Sequence, residues 1–424
     1  MTTPPPLPLV LRELHVVGRD GHVAGPLDVA LRDGRIEAVG RGLRADGAVE
    51  ADMSGVFAMA GAIDCHTHLA TSTLDLLANL RMSATTRALE AADAARRTLH
   101  GGVTYVRDAG GADAGLRDGI RRGLVPGPEA QVSIVMISRT GGHADGRLAA
   151  LDADVGIDGR VPPPGGPSHL VDGLDDMRRT VRQVLRAGGD WVKLCATGGI
   201  ASDFDDPMAG ELSEPELRVA VEEAAVRGRR VMVHAYGGEG LDNALAAGVA
   251  SVEHGTLLSE AQAERMARQG TFLVPTMAIL EYDVRQAREG AVPPHIAAKS
   301  LAIEPHLAEV VQIAHACGVP IALGSDAIER DLHGRNLGEI AALRRGGLPA
   351  DACLRAATVE GARLLGVDGE RGAIEPGMVA DLVLLDRDPS DCLCFDAPDV
   401  VTGVLQAGRA VRPHARLAGT PAAA

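Results

Sequence analysis

Aromatic residues are scarce: four Phe, three Tyr and one Trp make up 2% of the 424 residues. With 46% hydrophobic residues the chain can still bury a sizeable core, but that core has to be built from Ala, Val, Leu and Ile. Cysteine is sparse too. The six copies, Cys65, Cys195, Cys317, Cys353, Cys392 and Cys394, are scattered, and Cys392-X-Cys394 is too tight for a zinc ribbon. They read as reduced, mostly buried small apolar residues of a cytoplasmic protein. No apolar run reaches membrane-spanning length, and Met1-Thr2-Thr3-Pro4-Pro5-Pro6 shows neither a basic n-region nor an apolar h-region, so secretion and membrane insertion are not expected. Positive charge is in deficit. A net charge of −15 argues against a nucleic-acid or anionic-membrane surface, and any anionic substrate must be met by local positive groups or a metal. No Gly-X-Gly-X-X-Gly follows an early strand, which removes support for a dinucleotide site.

Glycine is the opposite case. Fifty-two glycines and frequent prolines cut the chain into short connections, as alternating strands and helices require. At 424 residues the chain exceeds the usual single-core limit, so one large and one smaller domain are expected. Stretches 11–17, 27–31 and 35–39 read as strands between Gly and Asp turns, Arg32-Asp33-Gly34 among them, and strand-like stretches return at 372–385 and 400–411. Neither end forms a core alone, so 1–58 and 372–424 are expected to pair as one small β-sandwich flanking a central domain at 59–371. The tail after Pro413 is rich in Ala, Gly and Pro and reads as frayed. In the centre, apolar strand candidates fall at 56–63, 103–106, 131–137, 191–195, 230–233, 251–252, 271–274 and 320–323. Helix-like stretches lie at 83–99, 175–187, 215–227, 259–268 and 305–316. This α/β alternation predicts a (β/α)8 TIM barrel. An open doubly wound sheet is the alternative, against which the missing glycine motif speaks.

Functional residues of such a barrel sit at the C-terminal ends of its strands. The first runs through Gly61-Ala62-Ile63-Asp64-Cys65-His66-Thr67-His68-Leu69. Side chains at i and i+2 leave one face, so His66 and His68 can address one ion. Two neutral imidazoles suit zinc, manganese, iron or nickel, yet two ligands hold no metal tightly, and a bare His-X-His also occurs in ordinary loops. Polar residues close other apolar runs: Lys193 on the fourth strand, His234 after the fifth, His254 after the sixth and Asp326 after the eighth. Their convergence on one mouth carries more weight than any single motif. Lys193 is the odd member, because burying an ammonium is costly and drives it toward the neutral amine. Beside two cations such an amine adds carbon dioxide to give an anionic carbamate. The alternative is a lysine paired with a neighbouring carboxylate such as Asp190 or Asp203.

The ordered set His66-Thr67-His68, Lys193, His234, His254 and Asp326 resembles that of the metal-dependent amidohydrolase superfamily, in the subgroup whose carboxylated lysine bridges two divalent metals. The likeness covers nearly the whole chain. It runs through Gly101-Gly102-Val103-Thr104-Tyr105-Val106-Arg107-Asp108-Ala109-Gly110-Gly111, Lys193-Leu194-Cys195-Ala196-Thr197-Gly198-Gly199, Val233-His234-Ala235-Tyr236-Gly237, Ser251-Val252-Glu253-His254-Gly255-Thr256-Leu257 and Leu323-Gly324-Ser325-Asp326-Ala327. These stretches are similar to the Xaa-Pro dipeptidase or imidazolonepropionase-like branch, which includes ochratoxin-hydrolysing amidases. The resemblance implies that His66, His68 and Asp326 hold the more buried metal, that His234 and His254 hold the more exposed one, and that carboxylated Lys193 bridges them, with Zn2+ as the expected ion. It further implies a metal-bridging hydroxide as nucleophile and a carbonyl polarised on the side of His234 and His254, with Asp326 shuttling the proton to the leaving amine. His143 either hydrogen-bonds the substrate carbonyl or is an ordinary loop histidine; Tyr236, where relatives often carry histidine, either donates to a substrate carboxylate or packs. Arg139 and Arg335 are candidates for binding a carboxylate or else solvated surface groups, and His333-Gly334-Arg335-Asn336 reads as structural or oligomeric. Glu253, beside His254, is expected to support a ligand or the barrel rather than to bind metal.

The expected protein is therefore a cytoplasmic, homo-oligomeric hydrolase of a small-molecule amide or peptide, without nucleic-acid or membrane partners. A dipeptidase or carboxypeptidase-type amidase on Xaa-Pro or N-acyl amino acids, ochratoxin-like amides among them, is the first reading. A cyclic amide hydrolase of imidazolonepropionase type is the alternative, and a barrel that has lost catalysis and serves as a scaffold is the reading from another class. A scaffold has no physical need for a complete ligand set.

Overall fold

A computed structural model describes residues 7–146, 155–202 and 205–417. Five strands open the chain: β1 (Leu9–Val17), β2 (Val23–Arg32), β3 (Arg35–Gly40), β4 (Val49–Asp52) and β5 (Phe57–Ala60). β1 is rich in Val and Leu and buries Leu9, Val10, Leu11, Leu14, Val16 and Val17, while Glu13 points out. The β2–β3 hairpin closes on Asp33 and Gly34, both at positive φ (50° and 77°), the two-residue turn whose twist suits antiparallel strands.

Eight strands belong to the centre: β6 (Ala62–Thr67), β7 (Val103–Asp108), β8 (Glu129–Val132), β9 (Met136–Ile137), β10 (Trp191–Cys195), β11 (Arg230–Gly237), β12 (Ser251–Leu257) and β13 (Phe272–Val274). The chain ends with β14 (Leu382–Leu385), β15 (Val401–Gln406) and β16 (Arg409–Arg412). β14 pairs with β5, which pairs with β1, so strands from both ends share one eight-stranded sheet in the order β16-β15-β14-β5-β1-β2-β3, with β4 also on β1. Its core includes Leu11, Leu14, Val29, Ile36, Leu382, Leu384 and Leu405.

The central strands pair in parallel as two sheets, β6-β7-β8 and β13-β12-β11-β10-β9. Almost every residue of these strands is buried, the pattern of a parallel sheet covered on both faces. The arrangement is of the TIM-barrel type, but it does not close as one ladder. The eighth expected strand, 320–323, is instead held by a bridge from Leu273 to Ile321, by the Cys65 N–H donating to Leu323 O at 2.8 Å, and by a bridge from Thr67 to Ala327.

Two expected strands are each two. The apolar run 56–63 splits at Gly61 between the end sheet (β5) and the centre (β6). A Cβ at Gly61 would run into Thr104 and lie 2.8 Å from the Asp381 Cβ, so the crossing needs glycine. The run 131–137 breaks at Ile134, whose φ of 71° interrupts the pleat between β8 and β9.

The five expected helices are present as Ala84–His100, Leu174–Arg186, Glu214–Ala225, Glu260–Gln269 and Leu307–Ala316. Ser83 caps the first through the Thr86 N–H, and Ser259 with Gln262 forms a capping box on the fourth. After β13, two further helices follow, Met277–Glu289 and Pro294–Ile303, for which no helix was expected. No helix among the described residues is long and apolar enough to cross a membrane.

Candidate metal centre and active site

β6 delivers His66 and His68 from its C-terminal end, both buried. Asp326 meets them from the segment after 320–323: its Oδ1 lies 3.2 Å from His68 Nε2 and 3.4 Å from His66 Nε2. One ligand atom from each of the three lies within 4.8 Å of the others. The outer nitrogens are already engaged. His66 Nδ1 is 2.8 Å from Glu253 Oε2, and His68 Nδ1 is 2.8 Å from the Gly110 carbonyl. Buried Asp326 Oδ1 has no hydrogen-bond partner among the described residues. Two imidazole nitrogens and an orphaned carboxylate oxygen aimed at each other are the donor set of a divalent cation, and the residues fit one.

β11 and β12 deliver His234 and His254, whose rings stand 4.6 Å apart; the His254 ring is 5.2 Å from that of His66. His254 Nδ1 is 2.7 Å from Thr276 Oγ1, and His234 Nε2 is 3.0 Å from the Gly198 carbonyl, so one nitrogen of each ring remains for the cavity. Burial holds His66, His234 and His254 well below the usual imidazole range, hence neutral. Burial opposes a charge on His68 as well, but the Asp326 carboxylate outweighs it and raises that imidazole. Burial likewise works against the Asp326 carboxylate, yet His66, His68 and Lys193 together hold it below its ordinary range. His254 and Asp326 both sit at positive φ (70° and 50°), backbone strain of the kind stored at functional sites.

Lys193 is buried in β10 between these groups. Burial pushes its ammonium toward the neutral amine, opposed by the charges of Glu253 and Asp326. Asp190, one expected partner, is engaged elsewhere, with Arg117 at 2.8 Å and Arg229 at 3.3 Å. The other, Asp203, lies outside the described residues.

All eight expected site residues, His66, His68, His143, Lys193, His234, Tyr236, His254 and Asp326, line one cavity with apolar walls that include Leu74, Ile200, Ile279 and Ile328. His143 stacks on His234 at 4.2 Å, and its Nδ1 is 2.9 Å from Ser202 Oγ and 3.2 Å from Asp205 Oδ2. Tyr236 stacks on His254 at 5.5 Å, and burial raises its phenol well above the usual range, so it keeps its proton as a donor. Arg139 and Arg335 do not line the cavity; Arg335 lines a separate surface groove. Asn336 donates to Asp64 Oδ2 at 2.8 Å and to Ser325 Oγ at 3.0 Å, tying down the loop that carries Asp326.

Several contributors escaped the sequence reading. Lys299 reaches the Gly199 and Ser202 carbonyls at 3.0 and 2.8 Å and Asp205 at 2.8 Å, which secures the partner of His143. Asp283, on the helix Met277–Glu289, lines the cavity, its carboxyl pushed up to about 8 by burial and by the charges of Asp326 and Glu329. Thr276 and Lys299 had no signal in their own neighbourhoods. Arg107 had one: a charge at the end of the apolar run 103–106, within the buried strand β7, resembles the anomaly of Lys193.

The sequence profile of the Amidohydrolase family matches residues 57–411. The chain belongs to the amidohydrolase family. Ochratoxinase of Aspergillus niger is 32% identical over 363 residues, 83% of this chain and 75% of that protein. A prolidase complexed with N-methylphosphonate-L-proline superposes with a TM-score of 0.87 at 32% identity, covering 95% of this chain and 99% of the other. A Xaa-Pro dipeptidase with methionine bound in its active site gives 0.85 at 26% identity, over 95% and 99%. As an amidohydrolase the protein is a hydrolase acting on C–N bonds. The family is metal-dependent, and His66, His68 and Asp326 form a possible metal site.

Proposed function

We propose that this amidohydrolase is a dipeptidase or carboxypeptidase-type amidase acting on Xaa-Pro or N-acyl amino acids, ochratoxin-like amides among them. The observation that carries the reading is the orphaned Asp326 Oδ1 facing the free nitrogens of His66 and His68 in a cavity that also holds Lys193, His234 and His254. His66, His68 and Asp326 would hold one divalent ion and His234 and His254 a second, with zinc the preferred metal. Lys193 would join the two halves as a carbamate: its neutral amine nitrogen bonds to the carbon of carbon dioxide and releases one proton. Bound there, two such cations supply a water of lowered pKa and a Lewis acid for the scissile carbonyl. The protein does the rest. Asp326 takes the proton of the attacking water and returns it to the leaving nitrogen. His143, oriented by Ser202 and Asp205, reaches the substrate carbonyl, and the Tyr236 hydroxyl donates to a substrate carboxylate. The apolar walls exclude water and take the acyl side chain.

One observation favours the cyclic amide alternative: among the described lining residues no arginine stands ready for a leaving-group carboxylate. A panel of Xaa-Pro dipeptides, N-acyl amino acids and cyclic amides separates the two, and turnover confined to the cyclic set overturns our choice. A preparation that takes up no metal and shows no turnover with any of them supports the scaffold reading instead.

The same reading takes 59–371 as a (β/α)8 catalytic unit, and 1–58 with 372–424 as a β-sandwich built from the end sheet. It places a homo-oligomer in the cytoplasm, where free Cys65, Cys195 and Cys353 stay reduced.

A further inference from the structure

Arg107 on β7 and Glu253 on β12 are both fully buried, and no step above uses either. Arg107 Nη2 donates to both Glu253 oxygens, at 2.9 and 3.1 Å. Its Nη1 donates to Ser251 Oγ at 3.0 Å, and Ser251 in turn donates to Glu253 Oε1 at 2.5 Å. Its Nε donates to the Cys65 carbonyl at 2.6 Å, one residue before His66. The guanidinium lies 4.6 Å over the Trp191 ring, whose other contact of this kind is Arg230 at 4.5 Å. Every polar neighbour of Glu253 except the imidazole is thus a donor, so its carboxylate is an acceptor on all sides. The group 2.8 Å away, His66 Nδ1, must then carry the hydrogen. A metal-binding imidazole is neutral and holds one hydrogen; with it on Nδ1, the lone pair is on Nε2, the atom 3.4 Å from Asp326.

We infer that Glu253, clamped by Arg107 and Ser251, is a positioning residue that locks His66 into the Nδ1–H tautomer, so that the first metal half-site is set before any ion arrives. The inference rests on the reading of His66 as a metal ligand. It also explains why a charged pair is retained in a core: replacing it by apolar side chains would keep the packing but release the tautomer. His68 obtains the same orientation from a backbone carbonyl, Gly110. It therefore serves as an internal control.

Glu253→Gln tests this, because an amide has one acceptor atom and one donor group where the carboxylate has two acceptors. With the amide oxygen turned to Arg107, the NH2 faces His66 Nδ1 and drives its hydrogen to Nε2. In full-length protein stripped of metal, 15N NMR of the imidazoles is expected to show His66 moving from Nδ1–H to Nε2–H while His68 stays unchanged. Titration with zinc alone is expected to show roughly 10–100-fold weaker binding at the tighter site. A Glu253→Gln protein with His66 still Nδ1–H and wild-type zinc affinity overturns the inference. Should the unpaired guanidinium prevent folding, the double variant Arg107→Met/Glu253→Gln removes it, and the same two outcomes apply. If the wild type itself binds no zinc, the metal reading fails, whereas the metal-free NMR result still decides the role of Glu253.

Discussion

The two halves of the cavity are built differently. On one side His66, His68 and Asp326 already stand within 4.8 Å of each other, with their outer nitrogens held by Glu253 and Gly110. On the other side His234 and His254 form no such three-membered cluster among the described residues. Their rings pack instead against His143 and Tyr236, and His234 leans on the Gly198 carbonyl. The first half is complete in the protein's own side chains. On the proposed reading the second would take its anionic ligand from Lys193, an amine in the same cavity that would have to be carboxylated first. On that reading, rigid support for one site and dependence on a small molecule for the other would give unequal metal affinities.

Breaking the complete half should cost most. Asp326→Asn is expected to lower kcat by about 10²–10⁴-fold, since it removes the proton carrier. Metal analysis should show weakened binding in the same variant while circular dichroism stays native. Full turnover in Asp326→Asn would dissolve the distinction between the halves. Breaking the dependent half should be more selective. Lys193→Ala is expected to keep the ion at His66 and His68 but lose the one at His234 and His254, with partial recovery of activity by short carboxylic acids supplied in solution. Unchanged metal content and rate would remove the carbamate from the account.

The smallest expected effect sharpens the comparison at the mouth. Glu211 accepts the His143 N–H at 2.8 Å, and burial pushes its carboxyl up to about 8 from an ordinary 4.5. Between those pH values the unfolded chain has released this proton and the folded chain still holds it. The unfolded state therefore binds fewer protons, and stability falls as pH rises from about 4.5 to about 8. Glu211→Gln, which mimics the protonated form, should flatten part of that fall, seen as a higher Tm than wild type at pH 8 and little difference at pH 4. Parallel pH profiles for the two proteins would show that Glu211 is charged in the folded state.

How much of this was readable beforehand follows from the range of each interaction. His66 and His68 share a face by strand period alone, and Lys193 stood out as a charge in an apolar run. Periodicity also located the five expected helices, because each carries an apolar stripe; the structure adds side-chain caps on two of them, from Ser83 and Ser259. The breaks at Gly61 and Ile134 were invisible: one depends on the approach of Thr104 and Asp381, the other on a local reversal of the backbone at a β-branched residue. Arg139 and Arg335 had the right charge for a carboxylate, but composition says nothing about which side of a loop faces the cavity.

By itself, then, the order of residues determined the alternation of strands and helices and the identity of the polar groups that close the apolar runs. Those signals are local, carried by side-chain period and solvation over a few residues. Only the tertiary structure decided that Glu253 and Arg107 stand behind His66, that Thr276 stands behind His254, and that Lys299 secures Asp205 beside His143. Each of those contacts joins segments far apart in the chain, and a hydrogen bond needs atoms about 3 Å apart, a condition no spacing in the sequence expresses.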